Sequence, residues 1–117
     1  MPQSSQVIGV MGEKIARLYL ILHGFKTIQT NYRCRCGEID LIMYSESLLI
    51  FVEVKTRFNA SLCMTLDCID SLNQRRIVHT SSYFLYRNPQ WRGYDQRFDV
   101  ITVLVSRMSI CWLCNAF

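Results

Sequence analysis

The sequence predicts one α/β or α+β domain in which helices pack against a β-sheet. Hydrophobic residues recur at helical spacing near the start of the chain, then follow strand-like patterns, and later return to a helical segment. The resulting order is helix, three strands, helix, and one or two strands. With 117 residues and no repeat, low-complexity tract or linker, residues 1–117 are predicted to form a single domain.

The first helix is predicted over residues 10–23. Its apolar residues recur at steps of four, three and four residues, which is the spacing of one helix face, and Gly24 provides a natural end. The residues of this stripe are Met11, Ile15, Leu18 and Leu22.

Three strands and a loop are predicted next. Residues 26–33 alternate weakly between polar and apolar side chains and are predicted to form a strand. Residues 38–44 and 48–55 are rich in Ile, Leu and Val, and only Ser45-Glu46-Ser47 separates them, which predicts a β-hairpin. Residues 58–70 have no clear period and are predicted to be a loop.

The second half of the chain predicts a helix and at least one strand. Ser71-Leu72-Asn73-Gln74 fits a capping box, with its Ser at the N-cap and its Gln three residues later. A helix is therefore predicted over residues 72–87, before Asn88-Pro89 ends it. Residues 98–105 are strongly β-branched and predict a strand, and residues 109–113 are a candidate for one more.

The composition excludes two classes of protein. Half of the residues are hydrophobic and only 19% are charged, so the chain is not predicted to be disordered. Its longest apolar runs fall far short of the roughly 18 residues that a membrane span needs. The first residues also carry no positive charge ahead of the first apolar ones, unlike a secretory signal. The protein is therefore expected to be cytoplasmic.

Basic residues are concentrated in one segment. The chain carries a formal charge of +4, and residues 71–97 alone hold five arginines against one acid. Arginine is the side chain best suited to bidentate phosphate contacts, which favours nucleic acid as a partner. A solvated helix face followed by a polar loop is the alternative. The five arginines are Arg75, Arg76, Arg87, Arg92 and Arg97.

Six cysteines raise the question of zinc or disulfides. A disulfide framework is not expected in a chain without a secretory signal. Cys111 and Cys114 have C-x-x-C spacing, but the residues between them are typical of a strand interior. Cys34-x-Cys36 is too tight for the usual zinc half-site. Buried or half-buried thiols are therefore the favoured interpretation.

Charged residues interrupt both strands of the predicted hairpin. Residues two apart share a face of a strand, so Glu38 shares a face with Asp40, and Glu53 shares one with Lys55. If the turn is tight at Glu46-Ser47, Asp40 lies directly opposite Glu53, with Cβ atoms about 5 Å apart. The same register pairs Tyr44 with Leu49 and leaves the opposite, buried face to Ile39, Leu41, Val52 and Val54.

Two carboxylates at this distance predict a cation site. They repel by about 3 kcal/mol at an effective dielectric constant near 20, and a cation is the usual compensation. Oxygen ligands suit Mg²⁺ or Mn²⁺. Lys55 is placed to orient a water molecule there. Two metal-binding carboxylates and such a lysine are the groups that metal-assisted attack on a phosphodiester requires. The spacing leaves one alternative open, a cluster of lysine and carboxylates on a solvated face.

Three motifs resemble the YraN family of small bacterial proteins. They are GEIDLI at residues 37–42, FVEVKTR at residues 51–57 and RFDV at residues 97–100. Gly12-Glu13, Asn31-Tyr32-Arg33 and Asn115-Ala116-Phe117 match as well, so the resemblance covers essentially the whole chain. The family is assigned to the restriction-endonuclease-like PD-(D/E)xK superfamily, near the archaeal Holliday-junction resolvases. The resemblance implies a restriction-endonuclease-like α/β fold, with a mixed β-sheet flanked by helices and an α-β-β-β-α-β core, and metal-dependent nuclease chemistry.

The resemblance also implies roles for individual residues. Asp40 and Glu53 look like the metal-binding acids, and the backbone carbonyl of Val54 is a further candidate ligand. Lys55 looks like the catalytic lysine. Glu13 resembles the acid that related resolvases add to the metal site from their first helix.

Other positions are assigned to supporting roles, Glu38 and Gln74 by the same resemblance and Arg75 and Arg76 by the charge of residues 71–97. An i,i+4 salt bridge with Arg17 is the alternative role for Glu13. Glu38 belongs to the signature, either as a support of the site or as a structural residue. Nucleic-acid contact is assigned to four residues, with a simple helix cap as the alternative for the first of them: Gln74, Arg75, Arg76 and Arg57.

The leading hypothesis is a divalent-metal-dependent, endonuclease-like protein that acts on DNA phosphodiester bonds with Mg²⁺ or Mn²⁺. Branched DNA and other recombination or repair intermediates are candidate substrates. The second hypothesis is a non-catalytic nucleic-acid-binding module that retains the nuclease fold, and the third is a cysteine-based metal or redox protein. The sequence leaves open DNA or RNA, branched or linear substrate, and monomer or homodimer.

Overall fold

The helices and strands follow the predicted order. The structure, a computed structural model, describes residues 5–58 and 70–117, with side chains from Val7 onward. The fifth strand is present, and a short 3₁₀ helix that the sequence did not predict precedes the fourth. Residues 59–69, most of the predicted loop, lie outside the described residues. The elements are α1 (Ser5–Leu22), β1 (Lys26–Cys34), β2 (Gly37–Ser45), β3 (Leu48–Arg57), α2 (Ser71–Arg87), the 3₁₀ helix (Pro89–Trp91), β4 (Asp95–Leu104) and β5 (Ser109–Leu113).

The strands form one mixed sheet in the order β1-β2-β3-β4-β5. Neighbouring strands are antiparallel except β3 and β4, which are parallel. A parallel pair needs a crossover connection, and α2 lies in the connection between β3 and β4. The α/β class with helices packed on a mixed sheet is therefore confirmed. No helix within the described residues is both long and apolar enough to cross a lipid bilayer.

Helix α1 packs through a different face from the one predicted. The apolar stripe is largely exposed, since Leu18 keeps 57% and Leu22 76% of its surface accessible. Gly12, Ala16 and Leu20 are the residues that face the sheet. Small residues allow the helix backbone to approach the strands closely. A prediction from the spacing of large apolar residues therefore selects the wrong face of the helix.

Helix α2 packs against β2 and β3 through Ile77 and Phe84, which join a core cluster on the sheet. Its N-cap is Asp70, not Ser71, and the predicted capping box is wrong by one residue. Asp70 has extended dihedral angles, and its carboxylate accepts a hydrogen bond from the Asn73 N–H at 2.8 Å. Asp is as good an N-cap as Ser, so the residue with the extended backbone takes the position.

A buried carboxylate holds the C-terminal segment against β4. Asp99 is fully buried and accepts two hydrogen bonds of 2.8 Å from the Arg97 guanidinium. The Trp112 indole N–H donates to it at 2.9 Å and the Asn115 backbone N–H at 3.0 Å. Both carboxylate oxygens are therefore hydrogen-bonded, as a buried charge requires. The RFDV motif has a structural explanation in this network.

The four cysteines of the described residues are free thiols, as predicted. Cys34 and Cys111 are half-buried, whereas Cys36 and Cys114 are exposed. The prediction that all six are buried or half-buried is therefore wrong for Cys36 and Cys114, which lie in turns. The remaining two cysteines fall outside the described residues.

Candidate active site

The hairpin register places Asp40 opposite Glu53. Strands β2 and β3 pair from Ser45 and Leu48 to Leu41 and Val52, and Tyr44 lies opposite Leu49 as predicted. One further step along the same register brings Asp40 and Glu53 to facing positions. The predicted register is therefore observed from Tyr44 and Leu49 to Leu41 and Val52, and Asp40 and Glu53 follow one step beyond the last paired residues.

The sheet opens at this pair of carboxylates. The pairing between β2 and β3 ends at Leu41 and Val52. Beyond that point β2 stays paired with β1 back to Gly37, and β3 stays paired with β4 on to Arg57. The strands therefore part where Asp40 and Glu53 begin. We call this point, where β2 and β3 separate, the fork. The Val54 N–H donates to Asp40 Oδ2 at 2.8 Å there, so a side-chain oxygen replaces a backbone carbonyl as its acceptor.

Burial and like charge act together on Asp40. Burial raises the pKa of its carboxyl group, and the charge of Glu53 raises it further, to about 7. The hydrogen bond from the Val54 N–H opposes this rise, and the charge of Glu38 adds to it. Lys55 Nζ lies 3.4 Å from Glu53 Oε2, so the only ion pair that the described residues form at the fork is on the Glu53 side. Within the described residues, Asp40 has no such cation beside it, so the repulsion between the two carboxylates acts mainly on its pKa.

Glu13 reaches the same carboxylates from α1. Burial raises the pKa of Glu13, the charge of Asp40 raises it further, and a hydrogen bond with Asn31 opposes the rise. Gly12 brings the helix this close, since a Cβ at this position would overlap the Thr56 hydroxyl. The alternative role for Glu13 is not realised, because no ion pair with Arg17 occurs among the described residues.

Asn31 belongs to a segment that resembles the family, but the sequence analysis gave it no role in the site. It lies on β1 between the paired residues Thr30 and Tyr32, whose partners are Leu41 and Ile39, and so faces Asp40 across the sheet. Its φ is 51°, in the left-handed region that non-glycine residues rarely adopt. Asn tolerates this region better than most residues, which is the one signal that its sequence offered.

The predicted common face of the hairpin is wrong for Ile39. Ile39 packs in the cluster that contains Ile77 and Phe84 of α2, whereas Leu41 packs in the cluster that contains Ala16 of α1. Residues two apart share a face in a regular strand, so β2 departs from regular alternation around Asp40. This irregularity lies opposite the left-handed Asn31.

Two basic clefts flank Glu13. One of about 430 Å³ is lined by Glu13, Asn31, Lys14 and Arg17, among others. The other, of about 300 Å³, is lined by Glu13, Val54, Lys55, Thr56 and Arg57. Arg57 thus lines the same cleft as Glu13 and Lys55, and its contact with nucleic acid stays a prediction. Lys14 was not singled out from the sequence, and Arg17 was named only as an ion-pair partner of Glu13, because their proximity to the site depends on how α1 packs.

The arginines of residues 71–97 are not one surface. Arg97 binds Asp99, and Arg92 donates to the backbone carbonyls of Leu85 and Tyr86 at the end of α2. Acceptors within the protein therefore hold the guanidinium groups of both residues, and their contact with phosphate stays a prediction.

Two of the residues predicted on α2 line a different cleft from those that flank Glu13. Gln74 and Arg75 line a cleft of about 300 Å³ beside His79 and Phe117. The stem of Arg76 packs close to Gly37, where a Cβ would lie 3.4 Å from that of Arg76. Gly37 has a φ of 153°, so glycine is needed there for both conformation and space.

The donor set suits a hard cation. Asp40 and Glu53 provide carboxylate oxygens, and an ion between them would relieve the repulsion that raises the pKa of Asp40. Among residues 5–58 and 70–117, no group of three or more His, Cys, Asp or Glu side chains is arranged to hold a metal ion. Mg²⁺ commonly uses one or two carboxylates and completes its shell with water and substrate phosphate, so two are compatible with it.

Comparison with known sequences places the chain in a family. Residues 12–103 match the model of the Uncharacterised protein family UPF0102. A UPF0102 protein of Alkaliphilus metalliredigens is 38% identical over 97% of this chain and 99% of its own length. One of Pseudomonas putida is 37% identical over 100% of this chain and 98% of its own length. Another, of Caldanaerobacter subterraneus, is 34% identical over 88% of this chain and 84% of its own length. The YraN-type resemblance is confirmed at this level: the chain belongs to the UPF0102 family.

Proposed function

We propose that this protein is a metal-dependent, endonuclease-like enzyme that hydrolyses phosphodiester bonds of DNA, with Mg²⁺ or Mn²⁺ held at Asp40 and Glu53. The restriction-endonuclease-like assignment of the fold and the likeness to resolvases belong to the same proposal. The order α1-β1-β2-β3-α2-β4 and the fork between β2 and β3 are compatible with both.

One observation carries the proposal. Two facing carboxylates lie where the sheet opens, burial and mutual repulsion raise the pKa of Asp40 to about 7, and a lysine stands 3.4 Å from Glu53. Repulsion between two buried carboxylates lowers the stability of a fold, so its presence is better explained by a function than by structure. Perturbed carboxyl groups in an open cleft are typical of a catalytic site.

Each residue has a distinct task in this proposal. The metal ion, when bound, neutralises charge on the phosphoryl group and acts as a Lewis acid. Asp40 and Glu53 hold the ion, with the Val54 carbonyl as a further oxygen ligand. Lys55 orients the attacking water in line with the leaving oxygen, or accepts its proton. Glu13 adds negative charge on the α1 side, where Asn31 fixes its position.

The basic clefts beside Glu13 supply places for the phosphates that flank the scissile bond. Lys14 and Arg17 lie on one side, and Lys55 and Arg57 lie on the other. A strand that crosses the fork would therefore meet cations before and after the carboxylates. This arrangement favours a polymeric substrate over a small phosphate ester.

A cleavage assay tests the proposal. Labelled linear, flapped and four-way DNA, together with a matched RNA, is incubated with protein and Mg²⁺ or Mn²⁺. We expect cleavage of at least one substrate by the wild type, and loss of that cleavage in Asp40→Asn and Glu53→Gln. Asp95→Asn is the matched control, because it removes an exposed carboxylate at the start of β4.

A binding measurement separates the metal site from catalysis. Mn²⁺ titrated into the wild type should bind with an affinity that Asp40→Ala and Glu53→Ala lose and Asp95→Asn retains. Equal binding by all four proteins would refute the assignment of Asp40 and Glu53 as ligands.

A second candidate function is a nucleic-acid-binding module that does not cleave. The observation in its favour is that only two carboxylates face each other at the fork and no larger ligand group forms among the described residues. Tight, salt-dependent DNA binding by a wild-type protein that cleaves no substrate with either metal would establish this function instead.

A further inference from the structure

A further cleft, of about 610 Å³, lies between the β1–β2 turn and the C-terminal half of α2, outside the carboxylate site. Three arginines line it, and none of the described acidic side chains does. The lining residues that matter are Arg33, Arg35, Arg87, Tyr83, Cys34 and Cys36.

The guanidinium groups of this cleft converge from separate elements. Arg33 and Arg35 come from the end of β1 and the turn, and Arg87 comes from the last turn of α2. Arg87 is held in place, because its Nη1 donates to the Tyr83 hydroxyl at 2.9 Å and its Cζ lies 5.9 Å from the ring centroid. Within the described part of the chain, only Arg33 of the three has an acidic partner, Glu38 at 3.5 Å, in an exposed pair that contributes little. Converging cations favour an anionic ligand.

The turn itself also favours negative charge. Burial raises the pKa of the Cys34 thiol, but interactions with the Cys36 and Gly37 backbone and with the Thr80 side chain lower it, and the net shift is downward. The Cys36 N–H lies 3.3 Å from Cys34 Sγ. The surroundings of Cys34 in the turn therefore stabilise the negative charge of its thiolate.

We propose that this cleft binds the phosphates of a nucleic-acid strand whose path leads to the carboxylates of β2. Three arginines supply the phosphate contacts, and the exposed Tyr83 ring offers a surface on which a base can stack. This inference rests on the proposed function for the identity of the strand.

The spacing between the two sites supports one continuous strand. Gly37 begins β2 beside the cleft, and Asp40 lies three residues further along the same strand. Three residues of a β-strand span about 10 Å. A nucleic-acid strand of a few nucleotides can bridge this separation.

Thiol footprinting tests the cleft directly. Cys36 is exposed in it, and Cys114 is exposed outside it, so the two serve as probe and internal control in one molecule. Alkylation by iodoacetamide is followed by peptide mass spectrometry in EDTA, with and without a single-stranded 12-nucleotide DNA. We expect the DNA to slow Cys36 alkylation at least fivefold and to leave Cys114 within twofold of its free rate.

A second arm distinguishes a strand from free phosphate. Inorganic phosphate, at the phosphate concentration that the saturating DNA provides, should leave Cys36 unprotected. Equal protection by both would show a site for a free anion and would overturn the strand proposal. Equal slowing of Cys36 and Cys114 by DNA, or slowing of neither, would also overturn it.

Charge removal gives an independent measurement. The double variant Arg35→Ala/Arg87→Ala removes two phosphate contacts. The slope of log affinity for single-stranded DNA against log salt concentration should become shallower by about 1.4, and binding at 0.1 M salt should weaken about 25-fold. Lys26→Ala/Arg107→Ala is the matched control, since both residues are exposed and Lys26 begins β1, about 27 Å from the turn. Equal effects of the two double variants would refute the cleft.

These measurements contain no divalent metal, so they are independent of cleavage. Absence of cleavage with a protected Cys36 would overturn the enzyme and retain the cleft. Cleavage by the wild type with an unprotected Cys36 would overturn the cleft and retain the enzyme.

Discussion

Replacing Asp40 with Asn should stabilise the protein when no metal is present. The carboxyl group of Asp40 has its pKa raised to about 7 from an ordinary value of 3.8, chiefly by burial and then by the charge of Glu53. Each pKa unit corresponds to about 1.4 kcal/mol, so this rise amounts to about 4 kcal/mol of unfavourable free energy for the ionised form. The substitution should preserve the local hydrogen bonding, because the new amide oxygen can still accept from the Val54 N–H and its N–H can donate to Glu53.

The sign of the pH dependence follows from the raised pKa. Between about pH 4 and pH 7 the folded protein retains a proton on Asp40 that the unfolded chain has already lost. The contribution of Asp40 to stability is therefore fully present below pH 4 and is lost as the pH rises through 7. Asp40→Asn should match the wild type near pH 4 and exceed it by about 2–4 kcal/mol at pH 8.

Urea unfolding in EDTA at pH 4, 6 and 8 measures this difference. Asp95→Asn is the control, because it makes the same chemical change at an exposed position and should leave the pH profile unaltered. Saturating Mg²⁺ should stabilise the wild type at pH 8 and narrow its gap to Asp40→Asn. An Asp40→Asn protein no more stable than the wild type at pH 8 would refute the reasoning, and would mean that Lys55 already neutralises both carboxylates.

Three further substitutions test other parts of the structure. Lys55→Ala should leave Mn²⁺ and DNA binding nearly intact and reduce cleavage by about 10²–10⁴-fold, with no rescue by Lys55→Arg; a cleavage rate near that of the wild type would contradict its role. Asp99→Ala should lower the free energy of unfolding by about 3–5 kcal/mol in urea titrations, because it leaves a partly buried guanidinium without its carboxylate. Gly12→Ala should cost about 1–3 kcal/mol through overpacking, whereas Gly9→Ala on the same helix, with open space around it, should be neutral or stabilise by up to about 1 kcal/mol; equal effects of the two would be inconsistent with the close approach of α1.

The sequence predicts the hairpin and its facing carboxylates because both follow from local rules. Alternation with a period of two and a short turn determine which residues of β2 and β3 face each other. Asp40 and Glu53 therefore needed no tertiary information. The same rules failed one residue away, at Ile39, where β2 departs from regular alternation.

The rest of the site depends on contacts between distant elements. Gly12 and Ala16 face the sheet because the helix backbone approaches it closely, a property that no hydrophobic pattern encodes. Asn31 joins the site through a left-handed backbone inside a strand, which propensity does not predict. Arg97 was grouped with its sequence neighbours by charge, although its partner is a buried carboxylate two residues away.

The placement of both carboxylates on one hairpin has a consequence for the order of folding. Asp40 and Glu53 are thirteen residues apart in sequence, whereas β3 and β4 pair only after the chain has crossed through α2. Local contacts form before distant ones, and a hairpin closes in about 1–10 μs. The two like charges should therefore meet in the folding transition state. We expect Asp40→Asn to accelerate folding by removing the repulsion from Glu53, and to slow unfolding because the burial of the carboxyl group is completed only after the transition state, so that the repulsion within the hairpin is also a kinetic barrier to reaching the native state.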